Sequence, residues 1–250
     1  MTADNQKKSE FIIGRHPAVA ALNNQQTTIN KIFLQKGLQK NFAAQIEKLA
    51  RERKIIISRV PKSRLDELAP QQNHQGIILT LAAFAYTPLV DLLRKGQSAP
   101  DPFLLILDNI EDPHNLGSII RTADAAGVTG IIIPQRRAVQ LTSVVAKTST
   151  GAIEYVPVAR VTNLVQAAKQ LKKAGFWIFG TDMTGKDYRQ WNAQGSIALI
   201  IGNEGKGISP LLKKQCDELL TIPMVGHVQS LNASVAASLL IYQGFTSRGN

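Results

Sequence analysis

Three asparagine-bearing segments hold the residues of this chain that could do chemistry. They are Asp108–Arg121 (DNIEDPHNLGSIIR), Ile200–Ser209 (IIGNEGKGIS) and Ile222–Ser234 (IPMVGHVQSLNAS). Each begins where a short apolar run gives way to small and polar residues. An α/β sheet offers backbone and side chains to a ligand at such places. In the first segment Asn115 precedes apolar residues at 116, 119, 120, 123 and 126, a helical stripe that Asn115 could cap. Arg121 falls on the opposite face with Ser118. Helical side chains lean toward the N-terminus, so Arg121 leans over Gly117, which has no side chain to obstruct it. Its guanidinium could then reach the helix start, where free amides favour an anion. Asn115 and Arg121 could jointly hold a phosphate or ribose. A plain cap, and an Arg121–Asp124 ion pair at i+3, are the alternatives.

The second segment follows the apolar run Ile197–Ile201. Its Gly202-Asn203-Glu204-Gly205-Lys206-Gly207 lets backbone approach a ligand closely. It lacks both the Gly-Lys-Ser/Thr ending and the G-x-G-x-x-G pattern, so neither a triphosphate nor a dinucleotide site is indicated. Glu204 is a carboxylate directly after a buried strand, or else part of a simple turn. The third segment runs from Ile222-Pro223-Met224 to Ser230-Leu231-Asn232, where Ser230 or Asn232 could cap a final helix. That helix is rich in small residues (Ala233, Ser234, Ala236, Ala237, Ser238). It could pack closely on its own sheet or on a second copy. His227 reads as an ordinary surface histidine.

These segments need a scaffold. Strands are expected at 103–107, 130–133, 176–180, 197–201 and 219–222, with helices at 116–126, 163–174 and 231–245. Alternating apolar strands and helices argue for a parallel sheet covered on both faces. Residues 10–85 read as a separate small α/β domain. Helices are expected there at 16–22 and 42–53, and strands at 31–34, 54–58 and 76–81. Residues 86–102 (YTPLVDLLRKGQSAPDP) read as a linker and 103–250 as the second domain.

Composition narrows the partners. The 250 residues carry a formal charge of +11. Residues 1–86 hold 13 Lys and Arg against 6 Asp and Glu, and the remainder 16 against 12. The smaller domain is therefore the more basic for its size, which points to RNA or DNA. Arg15, Lys36, Lys40, Arg51, Arg53, Lys54, Arg59, Lys62 and Arg64 are the candidate contacts. Few aromatics accompany them, so recognition by shape and phosphate is expected rather than base stacking. No apolar run is long enough to span a bilayer, and MTADNQKKSE lacks the apolar stretch of a secretory signal. One cysteine, Cys216, excludes an internal disulfide framework. The expected compartment is the reducing cytoplasm. Four scattered histidines offer no metal site.

Taken together, the three segments resemble the SpoU (TrmH-type) branch of the SPOUT RNA methyltransferases over about residues 103–245. Asn115 through Arg121 match the first family motif. Gly202-Asn203-Glu204 with Gly207 match the second. Ile222-Pro223-Met224 with Ser230-Leu231-Asn232 match the third. FIIGRHPAVAAL near the start, with NHQGI at 73–77, resembles the family's L30e-like substrate-binding domain. The two-domain pattern is most similar to the RlmB-type guanosine 2'-O-methyltransferases of large-subunit (23S) rRNA. Gln229, and Ala233 in place of the frequent valine, are minor departures.

The resemblance implies a C-terminal domain with a deep trefoil knot and a homodimer with the final helix in its interface. It implies S-adenosylmethionine held largely by backbone, with Gly202, Asn203, Ile222, Met224 and Leu231 at the cofactor. It places Arg121 as the catalytic arginine, Asn115 and Ser230 at ribose and phosphate, and Glu204 and Asn232 as groups that shape the site. A non-catalytic RNA-binding or ribosome-assembly protein with the same fold is the alternative.

Overall fold

The computed structural model describes residues 11–25, 27–81, 84–228 and 230–249, which form two compact units. The first contains β1 (Phe11–Ile13), α1 (Arg15–Asn23), β2 (Ile29–Gln35), α2 (Lys40–Glu52), β3 (Ile56–Val60), α3 (Lys62–Leu68) and β4 (Ile77–Leu81). The sheet runs β1-β4-β2-β3, with β2 and β3 parallel and β4 antiparallel to β1 and β2. Strand side chains alternate between faces. Ile32 and Leu34 accordingly join Leu22, Ile46 and Leu79 in one core, while Phe33 packs with Leu65 and Ile78 on the other face. The helical stripe expected on α2 is present, with Ala43, Ile46 and Ala50 buried.

Two polar residues fix this unit's loops. His74 is buried, accepts from Gly76 N on Nδ1 at 3.0 Å, and lies 2.9 Å from Asp66 Oδ1 through Nε2. With Nδ1 accepting, Nε2 carries the proton that Asp66 receives. Arg53 donates to the carbonyls of Ala21, Leu22, Asn24 and Thr27. It thus satisfies the open end of α1, where a cation also meets the favourable end of the helix dipole. Its place among the candidate RNA contacts is corrected: those donors are consumed by the fold.

The second unit contains α4 (Leu89–Ser98), β5 (Phe103–Leu107), α5 (Pro113–Ala125), β6 (Gly130–Pro134), α6 (Ser143–Thr148), β7 (Val158–Val161), α7 (Leu164–Lys173), β8 (Trp177–Asp187), β9 (Ile197–Ile201), α8 (Pro210–Lys213), β10 (Glu218–Thr221) and α9 (Ala233–Ser247). Its six strands run β10-β8-β9-β5-β6-β7 and every pairing is parallel. Leu104, Ile106, Ile132, Ala198 and Ile200 meet Leu164, Leu171 and Leu212 in one core cluster. β7 and α6 are short and their polar interruptions hide any periodicity. The supposed linker is corrected: it folds as α4, whose Leu92 lies wholly inside the second unit's core. Gly96 there packs against Phe176, with room for barely a methyl group at 3.0 Å. Among the described residues no helix is long and apolar enough to cross a membrane.

Candidate active site

β5 and β9 are parallel neighbours in register, Leu107 beside Ile201, and both are fully buried. Their outgoing loops therefore start side by side, where strand order reverses and such sheets present ligand sites. Asp108 binds the two loops together. Its backbone N–H donates to Ile201 O at 2.9 Å, and its buried carboxylate accepts from Ser209 N at 2.7 Å and Asn109 Nδ2 at 2.8 Å.

The Gly202–Gly207 loop closes on itself. Asn203 and Gly207 exchange backbone hydrogen bonds of 3.1 and 2.8 Å. Asn203 Oδ1 accepts from Gly205 N and Lys206 N, and its Nδ2 donates to Asn109 O at 3.1 Å. Asn203 is thus spent on loop shape. Gly202 is buried, and a Cβ there would stand 2.3 Å from the carbonyl carbon of Gly207. Only glycine permits that approach.

α5 is capped by Asp112, whose Oδ1 accepts from His114 N at 2.8 Å, with Pro113 in the first helical turn. The expectation of Asn115 as cap is corrected. Asn115 sits within the first turn of the helix, three residues past the cap, and is buried, which frees its amide to reach the other two segments. Its Nδ2 donates to Glu204 Oε1 at 2.6 Å, and its Oδ1 accepts from Asn232 Nδ2 at 2.9 Å. Asn232 is the cap of α9, its Oδ1 accepting from Ser234 N at 2.9 Å and Val235 N at 3.4 Å. Asn232 Nδ2 and Ala233 N also donate to Glu204 Oε1, at 3.0 and 3.1 Å. One carboxylate oxygen thus collects three N–H groups at the amino end of α9, where the helix dipole favours an anion.

Ser230 stands outside this triangle, exposed on the loop before α9, and Gln229 lies outside the described residues. Arg121 is exposed on α5, and among the described residues its side chain makes neither ion pair nor hydrogen bond. The expected Arg121–Asp124 alternative is therefore not taken up. The reading of Gly117 is also corrected. A Cβ on Gly117 would meet Thr148 Cβ at 2.5 Å and Val145 O at 3.0 Å. The glycine lets α6 dock on α5 rather than clearing a path for Arg121. The neighbouring Thr122 meets Ser238 of α9 at 3.1 Å between hydroxyls, so small residues bring α5 and α9 together.

Gly202, Ile222, Met224 and Leu231 share a property that secondary structure denies to most residues. Among the described residues their backbone N–H and C=O groups make no hydrogen bond. Buried or half-buried groups of this kind need partners. They suit a ligand whose polar edge is read by main chain. Sequence reasoning overlooked Asp108 and Asp112 as organisers. An Asp-Pro pair at a helix start was the available signal for Asp112.

Comparison with known proteins places these features in a context. The model of the SpoU rRNA Methylase family matches residues 102–242, and that of RNA 2'-O ribose methyltransferase substrate binding matches residues 11–87. A protein of Staphylococcus aureus (strain COL), assigned to the TrmH family tRNA/rRNA methyltransferases, is 51% identical over 240 residues, covering 95% of this chain and 96% of its own. YacO of Bacillus subtilis (strain 168), similarly assigned, is 45% identical over 244 residues, covering 97% of each chain. The crystal structure of the SpoU methyltransferase AviRb from Streptomyces viridochromogenes, in complex with AdoMet, superimposes with a TM-score of 0.59. It is 24% identical, with 96% of this chain and 90% of that one covered, a likeness of fold.

Proposed function

Because the chain belongs to the SpoU rRNA methylase family, we propose that it transfers the methyl group of S-adenosylmethionine to a ribose 2'-hydroxyl of RNA. The target we propose is a guanosine of large-subunit (23S) rRNA. The observation that carries the reading is the convergence of Asn115, Glu204 and Asn232, from three separate segments, on one hydrogen-bonded site. S-adenosylmethionine, when bound, supplies a methyl carbon made electrophilic by its sulfonium. The residues fit it: Gly202, Ile222, Met224 and Leu231 would hold it by their unclaimed backbone groups.

The chain's own residues then have distinct tasks. Guanidinium chemistry suits anion binding rather than proton abstraction, so Arg121 is not given the role of base. Its unpaired guanidinium would grip the phosphate beside the target ribose and stabilise the alkoxide that forms as the 2'-hydroxyl loses its proton. That phosphate can take the proton. Ser230 would contact ribose or phosphate from the exposed loop before α9. Asn115 and Glu204 are positioning residues, fixing the start of α9 against α5. Alignment of the reacting oxygen is the largest service such a site gives.

The trefoil knot belongs to the same proposal, supported by the return of the chain from β10 at the sheet edge to α9 packed on α5. So does the homodimer. α9 buries Ala237, Leu240 and Ile241 on one side, yet Val235, Leu239 and Tyr242 remain exposed at i, i+4 and i+7 on another. A helix apolar on two sides is built for two neighbours. The reading places the protein in the cytoplasm with its RNA.

Calorimetry with S-adenosylmethionine and mapping of 2'-O-methyl sites in rRNA and tRNA from cells lacking the protein test the proposal. Cofactor binding, and one missing methyl on a 23S guanosine, are expected. A missing tRNA methyl would move the target. No cofactor binding, even with RNA present, would replace the enzyme with a non-catalytic RNA-binding protein.

A further inference from the structure

The loop between β6 and α6 carries two arginines to the mouth of the site. β6 is the neighbour of β5, with Ile132 beside Ile106, so both strands end at the same face. The loop is pinned at each end. Gln135 N donates to Val161 O at 2.8 Å, and Val139 N donates to Ile110 O at 2.9 Å. Ile110 lies on the chain between Asp108, which ties the two site loops together, and Asp112, which caps α5. Arg136 and Arg137 are therefore held on the tip beside the segment that leads to Asn115. Both are exposed, and Arg137 adopts φ +56, a left-handed conformation uncommon for a residue with a Cβ.

α6 lies on the same flank. Thr148 and the Val145 carbonyl fill the space beside Gly117, and Thr148 Oγ1 is 3.4 Å from His114 Nδ1. Lys147, exposed, precedes Thr148 directly. From Ala125 through Ile153 the chain contains no Asp or Glu. Among the described residues the side chains of Arg136, Arg137 and Lys147 form no ion pair and no hydrogen bond, so the fold makes no use of their charge.

We propose that Arg136, Arg137 and Lys147 grip the phosphates of single-stranded RNA that flank the target ribose, giving the second unit an RNA-docking surface of its own. The proposal rests on the reading of the chain as an RNA methyltransferase. Guanidinium groups suit phosphate because their planar donors match it two at a time. A loop tip pinned on both sides loses little conformational freedom when its side chains engage.

The test is a salt titration of RNA binding by the full chain, using an unmodified in-vitro transcript of 23S rRNA. R136Q/R137Q is compared with K169Q/K173Q, which removes equal charge from exposed positions on α7, ahead of the opposite end of β8. Each phosphate contact contributes about 0.7 to the slope of log affinity against log salt for single strands. R136Q/R137Q should flatten that slope by about 1.4 and K169Q/K173Q should leave it unchanged. Adding K147Q to the first variant should flatten it further. S-adenosylmethionine affinity should be the same in all. Coincident slopes for the two double variants overturn this surface while leaving the methyltransferase reading intact. Failure of the parent to bind the cofactor sinks that reading while a slope difference would still stand. A parent with no salt-dependent RNA binding overturns the surface outright.

Discussion

Asn115 and Glu204, 89 residues apart in the chain, share a hydrogen bond of 2.6 Å. That contact joins the first turn of α5 to the loop after β9, and Asn232 closes the triangle from the start of α9. Glu204 Oε1 accepts all three N–H groups there, so removing it strands donors from two helices. Glu204→Ala should lower kcat/KM about a hundredfold, equivalent to about 2.7 kcal/mol. Glu204→Gln keeps an acceptor without the charge and should cost about tenfold. Steady-state kinetics on both variants check the order. Equal losses would show that a neutral acceptor is worth nothing there, and an unimpaired Glu204→Gln that charge is irrelevant to the triangle.

Glycines in one loop should respond oppositely to alanine. At Gly202 the added methyl meets Gly207 backbone at 2.3 Å, so the loop must move. At Gly205 the nearest atom is a side-chain oxygen 3.7 Å away. Gly202→Ala should destabilise the fold by roughly 1–3 kcal/mol and abolish S-adenosylmethionine binding. Gly205→Ala should bind normally. Thermal melts and calorimetry read both.

Arg121 has no structural partner among the described residues, so its replacement should spare stability and spend its whole effect on turnover. Arg121→Ala should lower kcat by about a hundredfold or more with an unchanged melting temperature. Arg121→Lys keeps the charge and loses the two-pronged geometry, and should recover little. Near-normal turnover in Arg121→Lys would remove the case for a bidentate grip.

Stability at low pH should report on Asp182. The Lys213 ammonium, donating at 2.5 Å, together with the Thr184 hydroxyl and N–H, draws its carboxyl from the ordinary 3.8 down to about 2. A depressed folded-state value contributes stability that is complete above the unfolded value. It is lost as pH falls from about 4 toward 2. Asp182→Asn should flatten the melting curve against pH in that window and leave the neutral-pH slope alone.

Cys216 should be slow to react. Burial pushes its thiol up to about 11, and its sulfur fills the space that a Cβ on Gly180 would need, at 2.5 Å. Only the thiolate is nucleophilic. Alkylation of the native protein at neutral pH should therefore run well over tenfold slower than that of the unfolded chain. Equal rates, followed by mass spectrometry, would place the thiol at the surface.

What the sequence determined by itself was local. Apolar runs such as FLLIL and IALII are strands because nothing polar interrupts them, and their buried neighbours follow from that. The positions of Asn115, Glu204 and Asn232 after such runs marked them as site residues, and the helical stripe of α2 needed no tertiary information. Partner choice was not local. Asn115 looked like a cap until Asp112 and Pro113 were seen to start α5 first, and Gly117 looked like an opening until Thr148 filled it. Residues 86–102, with their prolines, short amphipathic turn and polar tail, read as a connector, yet Leu92 lies in the core. In each case a residue read from its local neighbours was claimed by an element distant in sequence. Strand register decides such claims: β5 and β9, paired at Leu107 and Ile201, bring Asp108 and Gly202 together. No periodicity within either segment encodes that pairing.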